Sequence, residues 1–318
     1  MKQILMSALF AAVLAGCSKV APEQAAVNPY EIRINTAING VDATKGVALS
    51  SASQTGVQVL RKDNTIATPP TDFSGTPVSV TRETTGNLTF SAPPAYDLNN
   101  NYAFFAAYHP EGLAGSNKVT WAIDGATDII TTGAWSAGNY AMPVKTGMTF
   151  SHQLAQLEVI CKADPASTVA EAAVQAAWGK ITGIELINTS NTVDMAYNGL
   201  GLTFGAATSA LSLRQSDYST VFAALAITKA NSSVIAAGMF APGSGTAAIR
   251  LKVYTEQVSA GKEIEVQLQQ SAINKGFEKG LRHTVTLTFG AGTKNISVTG
   301  TAITAWGTGY TGSGSLEN

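Results

Sequence analysis

A strict alternation of apolar and polar residues is the feature that most limits what this chain can fold into. Residues 283–289 alternate valine, leucine and phenylalanine with threonine, and residues 249–253 and 264–268 repeat the pattern with charged and amide side chains. Because the side chains of a strand point to opposite faces in turn, this period of two predicts half-buried antiparallel strands. Further strands are predicted at residues 30–38, 56–61, 78–81, 102–108, 119–123, 149–161, 181–187, 221–227 and 234–240.

One segment departs from this pattern and predicts a short helix. Residues 164–178 are rich in alanine and other helix formers, Asp or Ser precedes the alanine-rich run, and Gly179 follows it. The segment lies near the middle of the chain, so we interpret it as a connector and place a domain boundary near residue 162. Short strands separated by Gly, Asn and Pro on both sides of it predict an all-β fold of sandwiches or barrels.

The predicted strand at residues 149–161 changes its parity along its length. Phe150 and His152 share one face, whereas Leu157, Val159 and Cys161 share the opposite parity. Either a bulge reverses the face of the strand, or both of its faces are buried.

The N-terminal residues predict a lipoprotein export signal. Lys2 precedes an apolar run over residues 4–15 that is too short to span a membrane, and the run leads into Leu-Ala-Gly16-Cys17. This is the pattern of a bacterial lipobox, in which the chain is cut between Gly16 and Cys17 and the Cys17 thiol receives a lipid. We therefore predict a signal peptide at residues 1–16 and a palmitate-bearing lipid on Cys17; an ordinary signal peptide with a chance cysteine is the alternative.

Composition and spacing exclude several functional classes. Lys and Arg total 20 and Asp and Glu total 21, a net charge of -1 that leaves no basic face for nucleic acid. Cys161 is the sole thiol after Cys17, so no intramolecular disulfide forms, and we predict it to be a buried apolar residue. His109, His152 and His283 are scattered without metal-ligand spacing, so we predict no metal site, cofactor or catalytic residue.

Two weak motifs are also interpreted as structural. Residues 243–248 match a loose dinucleotide-binding fingerprint, but a strand follows where that motif requires a helix N-terminus. Asp124 and Asp128 resemble half of a calcium loop without its further acidic ligands, so we interpret residues 124–128 as a hairpin loop.

Several short motifs together resemble the fimbrillin-like proteins of the Bacteroidales. Residues 150–159, Phe-Ser-His-Gln-Leu-Ala-Gln-Leu-Glu-Val, look like the family signature Phe-x-His-x-Leu-(small)-x-Leu-x-Val. Other motifs of the family occur before and after this signature, in the family's order: Gly-Val-Gln-Val at 56–59, Tyr-Ala-Phe-Phe-Ala-Ala-Tyr-His-Pro at 102–110, a hairpin at 277–289, and Ile-Thr-Ala-Trp at 303–306.

The resemblance implies a structural or adhesive subunit of a type V pilus, or fimbrium, with two tandem transthyretin-like Greek-key β-sandwich domains. It implies export to the outer membrane as a lipoprotein and removal of the first strand by a trypsin-like maturation protease. A strand from another pilin subunit, in a homo- or hetero-polymer, then fills the emptied groove. On this basis the chain divides into the signal peptide at 1–16, a propeptide with the first strand at 17–45, and sandwiches at 46–162 and 163–318.

The maturation site departs from the family pattern. The family commonly cuts after Arg, whereas this chain has Lys45 in a Gly/Ser/Ala-rich stretch suited to proteolysis, and the nearest arginines, Arg33 and Arg61, lie in predicted strands. We predict cleavage at Lys45 and loss of the strand whose Ile32, Ile34 and Ile38 fill the groove. The alternative, a subunit that keeps its lipid and first strand as an anchor would, stays open.

A cell-surface glycan-binding lipoprotein that does not polymerise is the alternative function. Trp121, Trp135 and Tyr140 lie close in sequence and either form an exposed aromatic platform or fill the first core. No motif supports an enzyme.

Overall fold

The computed structural model describes residues 30–38, 53–165, 168–244, 248–267, 276–292 and 294–305. The predicted lipobox with Gly16 and Cys17, and the predicted cleavage site Lys45, lie outside the described residues.

The described residues are nearly all β, with a single short helix, so the all-β prediction is confirmed. The strands of the first half are β1 (Thr36–Ile38), β2 (Gln54–Asn64), β3 (Val78–Arg82), β4 (Leu88–Thr89), β5 (Tyr102–His109), β6 (Leu113–Gly115), β7 (Lys118–Ala122), β8 (Ile130–Thr131), β9 (Trp135–Gly138) and β10 (Met148–His152). The second half contains β11 (Ala155–Ala163), α1 (Glu171–Trp178), β12 (Ile181–Thr189), β13 (Thr192–Ala196), β14 (Leu202–Phe204), β15 (Ser209–Ser212), β16 (Ala236–Phe240), β17 (Gly243–Ser244), β18 (Ala248–Thr255), β19 (Val258–Gln267), β20 (Gly276–Phe277), β21 (Leu281–Phe289) and β22 (Ile296–Ala305).

The largest sheet has eight strands in the order β1-β10-β8-β5-β2-β3-β4, with β9 paired to β5. Its central strand β5 is buried on both faces because alternate residues enter two different cores. Phe105 packs in a core with Ile34 and Phe150, whereas Phe104 packs in a second core with Trp121. The first of these cores is lined by residues from strands along the whole sheet, so the sheet curls around it.

A four-stranded sheet joins the two halves of the sequence. Its order is β14-β13-β7-β6, and β13 pairs antiparallel with β7, so that Val193 lies opposite Trp121. In the core behind it, the hydroxyl groups of Tyr108 and Tyr197 lie 3.0 Å apart. This sheet crosses the boundary expected near residue 162. The division into domains at 46–162 and 163–318 therefore stays a prediction. The structure shows that strands from both of these ranges share one sheet.

The second half forms a sandwich of two four-stranded sheets, β16-β11-β21-β22 and β15-β12-β18-β19. The alternating residues predicted at 283–289 point into its core: Val285, Leu287 and Phe289 are fully buried there together with Leu157 and Cys161. Burial raises the pKa of the Cys161 thiol well above its usual range, which makes it the inert apolar residue expected from the sequence.

Residues 149–161 are two strands rather than one. The chain passes through Gln153 and Leu154 from β10, in the curled sheet, to β11, in the second sandwich. The parity changes because the chain changes sheets, so no bulge is needed. The other alternative, burial on both faces, holds for residues 155–159, which are all buried.

Two other sequence predictions are corrected. Residues 221–227 are not a strand: Leu225 exchanges main-chain hydrogen bonds with Ile181, but no ladder forms and Val221 is 73% exposed. The helix ends at Gly179 as predicted, with a φ of 69°. It begins only at Glu171, however, and its N-cap residue Ala170 makes no side-chain hydrogen bond.

Candidate functional site

Residues 30–38, here called the closing segment, join the two edges of the curled sheet. On one side the segment runs antiparallel to residues 86–96, with bridges from Glu31 to Ala95 and from Asn35 to Asn87. On the other side β1 runs parallel to β10. The predicted first strand is thus regular only over Thr36–Ile38, but its extended backbone closes the sheet along its whole length.

Main-chain hydrogen bonds hold the closing segment on both sides. Those to residues 86–96 are Ile32 N to Pro94 O at 2.7 Å, Leu88 N to Ile34 O at 2.9 Å, Thr36 N to Gly86 O at 2.8 Å and Tyr96 N to Tyr30 O at 2.8 Å. Toward β10, the N–H of Met148 donates to the Asn35 carbonyl at 2.9 Å. The segment therefore satisfies polar backbone groups on two strands that would otherwise be sheet edges.

The side chains of the closing segment alternate between the core and solvent, as the sequence predicted. Ile32, Ile34 and Ile38 are buried in the core of the curled sheet, whereas the side chain of Arg33 is 64% exposed and pairs with Glu31 at 3.4 Å. The same core contains these residues of the sheet itself: Val57, Val59, Val80, Leu88, Phe105, Ile130, Met148 and Phe150. Burial of the three isoleucines stabilises the closed state by about 5–9 kcal/mol.

A glycine lies against the closing segment on each side. A Cβ at Gly86, whose φ is 89°, would collide with the carbonyl oxygen of Thr36. A Cβ at Gly147 would collide with the carbonyl oxygen of Asn35. Both neighbours are main-chain atoms, so no side-chain rotation relieves either collision. The slot therefore accepts an extended backbone because these two positions lack side chains.

A buried arginine contacts the closing segment at Thr36. Arg82, 7% exposed, donates from Nε to the Thr36 hydroxyl at 2.9 Å and from Nη2 to the Thr36 carbonyl at 3.5 Å. The Thr36 hydroxyl in turn donates to the Gly86 carbonyl at 2.7 Å. Burial lowers the pKa of Arg82 from its usual value, yet a guanidinium remains protonated in proteins, so this is a charged group inside the groove.

The aromatic residues considered for glycan binding do not form a platform. Trp121 is buried in the second core and donates from Nε1 to the Pro110 carbonyl at 2.8 Å. Trp135 packs on Phe105 in the other core. Tyr140 alone is well exposed, and its ring lies 4.9 Å from that of Tyr30, at the start of the closing segment. The fold thus distributes the three residues among separate environments.

The polar motifs take structural positions. His152 is buried and its Nδ1 lies 2.8 Å from the Asp128 carboxylate, while Asp124 accepts hydrogen bonds from the backbone of Ala126 and Thr127 within its own turn. The two aspartates of the supposed calcium loop therefore serve different neighbours. Among the described residues, no group of three or more His, Cys, Asp or Glu side chains could hold a metal ion.

Sequence reasoning missed Arg82, Gly86 and Gly147. The parity of residues 78–82 could have identified Arg82, since it shares a face with the buried Val80. The two glycines give no comparable signal, because their role depends on a segment distant in sequence.

The fold and this site define a class of protein: a β-sandwich protein whose curled sheet is closed by a short N-terminal segment. Residues 43–306 match the family model of the fimbrillin-like proteins. The chain belongs to the fimbrillin-like family. No curated protein matches the sequence closely enough to count as a relative.

Solved structures with similar folds come from Bacteroides and Parabacteroides species. A candidate cell adhesion protein from Bacteroides uniformis shares 18% identity with a TM-score of 0.57, covering 86% of this chain and 98% of its own. Candidate cell adhesion proteins from Parabacteroides distasonis (8% identity, TM-score 0.52, 88% and 98% covered) and Bacteroides ovatus (15%, 0.51, 87% and 98%) are also similar. At these identities the likeness shows the fold.

Family membership makes the chain a pilus or adhesin subunit at the cell surface. The family is one of structural and adhesive proteins rather than enzymes. No helix in the described part of the chain is long and apolar enough to cross a membrane.

Proposed function

We propose that this chain is a type V pilus subunit, exported as an outer-membrane lipoprotein through Cys17, that assembles by donor-strand exchange. A trypsin-like protease cuts between the closing segment and β2, the segment leaves, and a strand from another pilin subunit, identical or different, takes its place. The proposal keeps the division into a propeptide at 17–45 and sandwiches at 46–162 and 163–318.

One observation carries the proposal: the closing segment fills a groove, and a single cleavage would separate this segment from the rest of the chain. It is hydrogen-bonded on both sides and buries three isoleucines, yet one cut between Ile38 and Ser53 severs its covalent link to β2. Its loss would leave unpaired backbone on residues 86–96 and on β10 beside an emptied apolar groove. Such an edge is a template for strand addition.

Lys45 is the proposed cleavage site because it is the sole Lys or Arg between Arg33 and Arg61. Arg33 lies within the hydrogen-bonded closing segment. Arg61 lies within β2 and pairs with Asp63 at 2.9 Å. A protease requires an extended stretch of chain in its own active site, which these two positions do not offer while the sheet is closed.

Limited trypsin digestion of the folded precursor tests the proposal. We expect the first cut after Lys45, and we expect the cut protein to exchange its own segment for a fluorescent peptide of residues 30–38. The Lys45→Gln variant should resist the cut and capture no peptide, while Lys62→Gln, a control at a partly buried position within β2, should behave like the unaltered protein. First cleavage elsewhere, or a cut protein that never takes up the peptide, contradicts the proposal. A precursor that stays uncut and lipidated in cells would be an anchor subunit.

A further inference from the structure

The buried Arg82 side chain sets a condition on any strand that replaces the closing segment. The Thr36 hydroxyl is the side-chain acceptor of Arg82, whose Nη1 is buried and has no hydrogen-bond partner among the described residues. In the described part of the chain, no carboxylate lies within ion-pair distance of Arg82. When the closing segment leaves, the guanidinium loses both of its acceptors at once.

An apolar side chain placed over Arg82 would remove the acceptor of its Nε–H, since a replacing strand supplies a main-chain carbonyl only to Nη2, where the Thr36 carbonyl now lies 3.5 Å away. Burying this charged donor without its acceptor costs more than losing an ordinary hydrogen bond, because the Nε–H gives up its hydration and gains no acceptor in return. The neighbouring positions differ, since Ile32, Ile34 and Ile38 are buried in the hydrophobic core of the curled sheet. The groove therefore requires alternate residues in the order apolar, apolar, acceptor, apolar.

Residues 307–318 of this sequence do not supply that order. Tyr310 and Leu316 are spaced as Ile32 and Ile38 are, but the alternate residues between them are Gly312 and Gly314. In either direction, this register places a glycine against Arg82 and another in the Ile34 position. The other parity offers only small or polar residues together with Glu317.

We infer that the groove selects a strand from a chain of different sequence, one that presents a hydroxyl, amide or carboxylate acceptor to Arg82 between large apolar residues. Arg82 is then the specificity-determining residue of strand exchange, and the apolar positions supply most of the binding free energy. This inference rests on the proposed function and adds the chemistry of the partner.

Peptide capture by the trypsin-cut full chain tests the inference. The probes are fluorescent peptides of residues 30–38: the natural sequence, Thr36→Val, Thr36→Ser and the exposed-position control Arg33→Gln, together with a peptide of residues 307–318. Thr36→Val replaces the hydroxyl by a methyl group of the same shape, so we expect it to bind about ten- to a hundredfold more weakly than the natural peptide. Thr36→Ser should lose less, Arg33→Gln should bind as the natural peptide does, and the 307–318 peptide should bind more weakly than all of them.

An Arg82→Met protein gives the matched second arm. Without the charge, the preference for Thr36 over Thr36→Val should disappear. Equal binding of these two peptides to the unaltered protein overturns the inference alone, whether or not Arg82→Met folds. Capture of the 307–318 peptide as tightly as the natural one also overturns it. Capture of no peptide at all overturns the proposed function, and the inference with it.

Discussion

Ile34→Ala should weaken the attachment of the closing segment to its groove more than any change at an exposed position of the same segment. Ile34 is 2% exposed, lies at the centre of the segment and packs in the core of the curled sheet. Truncating a buried isoleucine to alanine removes its transfer free energy and leaves a cavity, so we expect the intact chain to lose about 2–4 kcal/mol of unfolding free energy.

The same change should appear as an affinity once the chain has been cut. After cleavage near Lys45 the closing segment is a bound peptide, and a loss of about 2–4 kcal/mol corresponds to a dissociation constant about 30- to 1,000-fold larger. Fluorescence anisotropy with labelled peptides of residues 30–38 measures this dissociation constant directly. Urea unfolding of the intact variants independently gives the loss of unfolding free energy. Agreement between the two would show that the segment binds as a separable unit.

Arg33→Ala is the matched control, adjacent in sequence and opposite in orientation. Its side chain is mostly exposed and its ion pair with Glu31 is a surface contact, worth at most about 1 kcal/mol. The reasoning is refuted if Ile34→Ala costs less than about 0.5 kcal/mol, or if Arg33→Ala costs as much as Ile34→Ala does.

Two further predictions concern the lipid and the pH dependence of stability. Cys17→Ser should abolish both palmitate incorporation and detergent partitioning, and continued labelling of the variant would show that the lipid lies elsewhere. Burial lowers the pKa of His283 from 6.5 to about 4, with its ring against Phe277 in the core of the second sandwich. Since the folded state takes up the proton less readily than the unfolded chain, this contribution to stability is fully present above pH 6.5, falls as the pH drops toward 4 and levels off below it. Unfolding measured at pH 7.5 and pH 4.5 should therefore show a loss roughly 2 kcal/mol larger in the unaltered protein than in His283→Leu, and equal losses would exclude His283 as the cause.

Much of the fold follows from local alternation in the sequence. The strands β18 and β21 lie where the period of two predicted them, because each buries one face against a core. The closing segment was predicted on the same grounds, and the burial of Ile32, Ile34 and Ile38 matches that pattern.

The failures arise where the outcome depends on distant partners. The chain changes sheets at Gln153, and a single-strand pattern cannot distinguish that from a bulge. Residues 221–227 are a run of apolar residues that looks like a strand, but the structure gives them no ladder to join. Arg82 was overlooked because it follows the strand predicted at residues 78–81, where a charged residue usually faces solvent, and only the folded sheet brings Thr36 to it.

The pairing of β7 with β13 bears on how the subunit responds to tension. Five residue pairs, from Thr192 opposite Ala122 to Ala196 opposite Lys118, join the two halves of the chain, and Lys118 also pairs with Asp194 at 2.6 Å. Pulling the halves apart must break this ladder and open the core behind it, rather than merely straighten the connector that contains α1. Single-molecule stretching should therefore show the halves yielding in one event, and two separate extensions at different forces would show that they resist load independently.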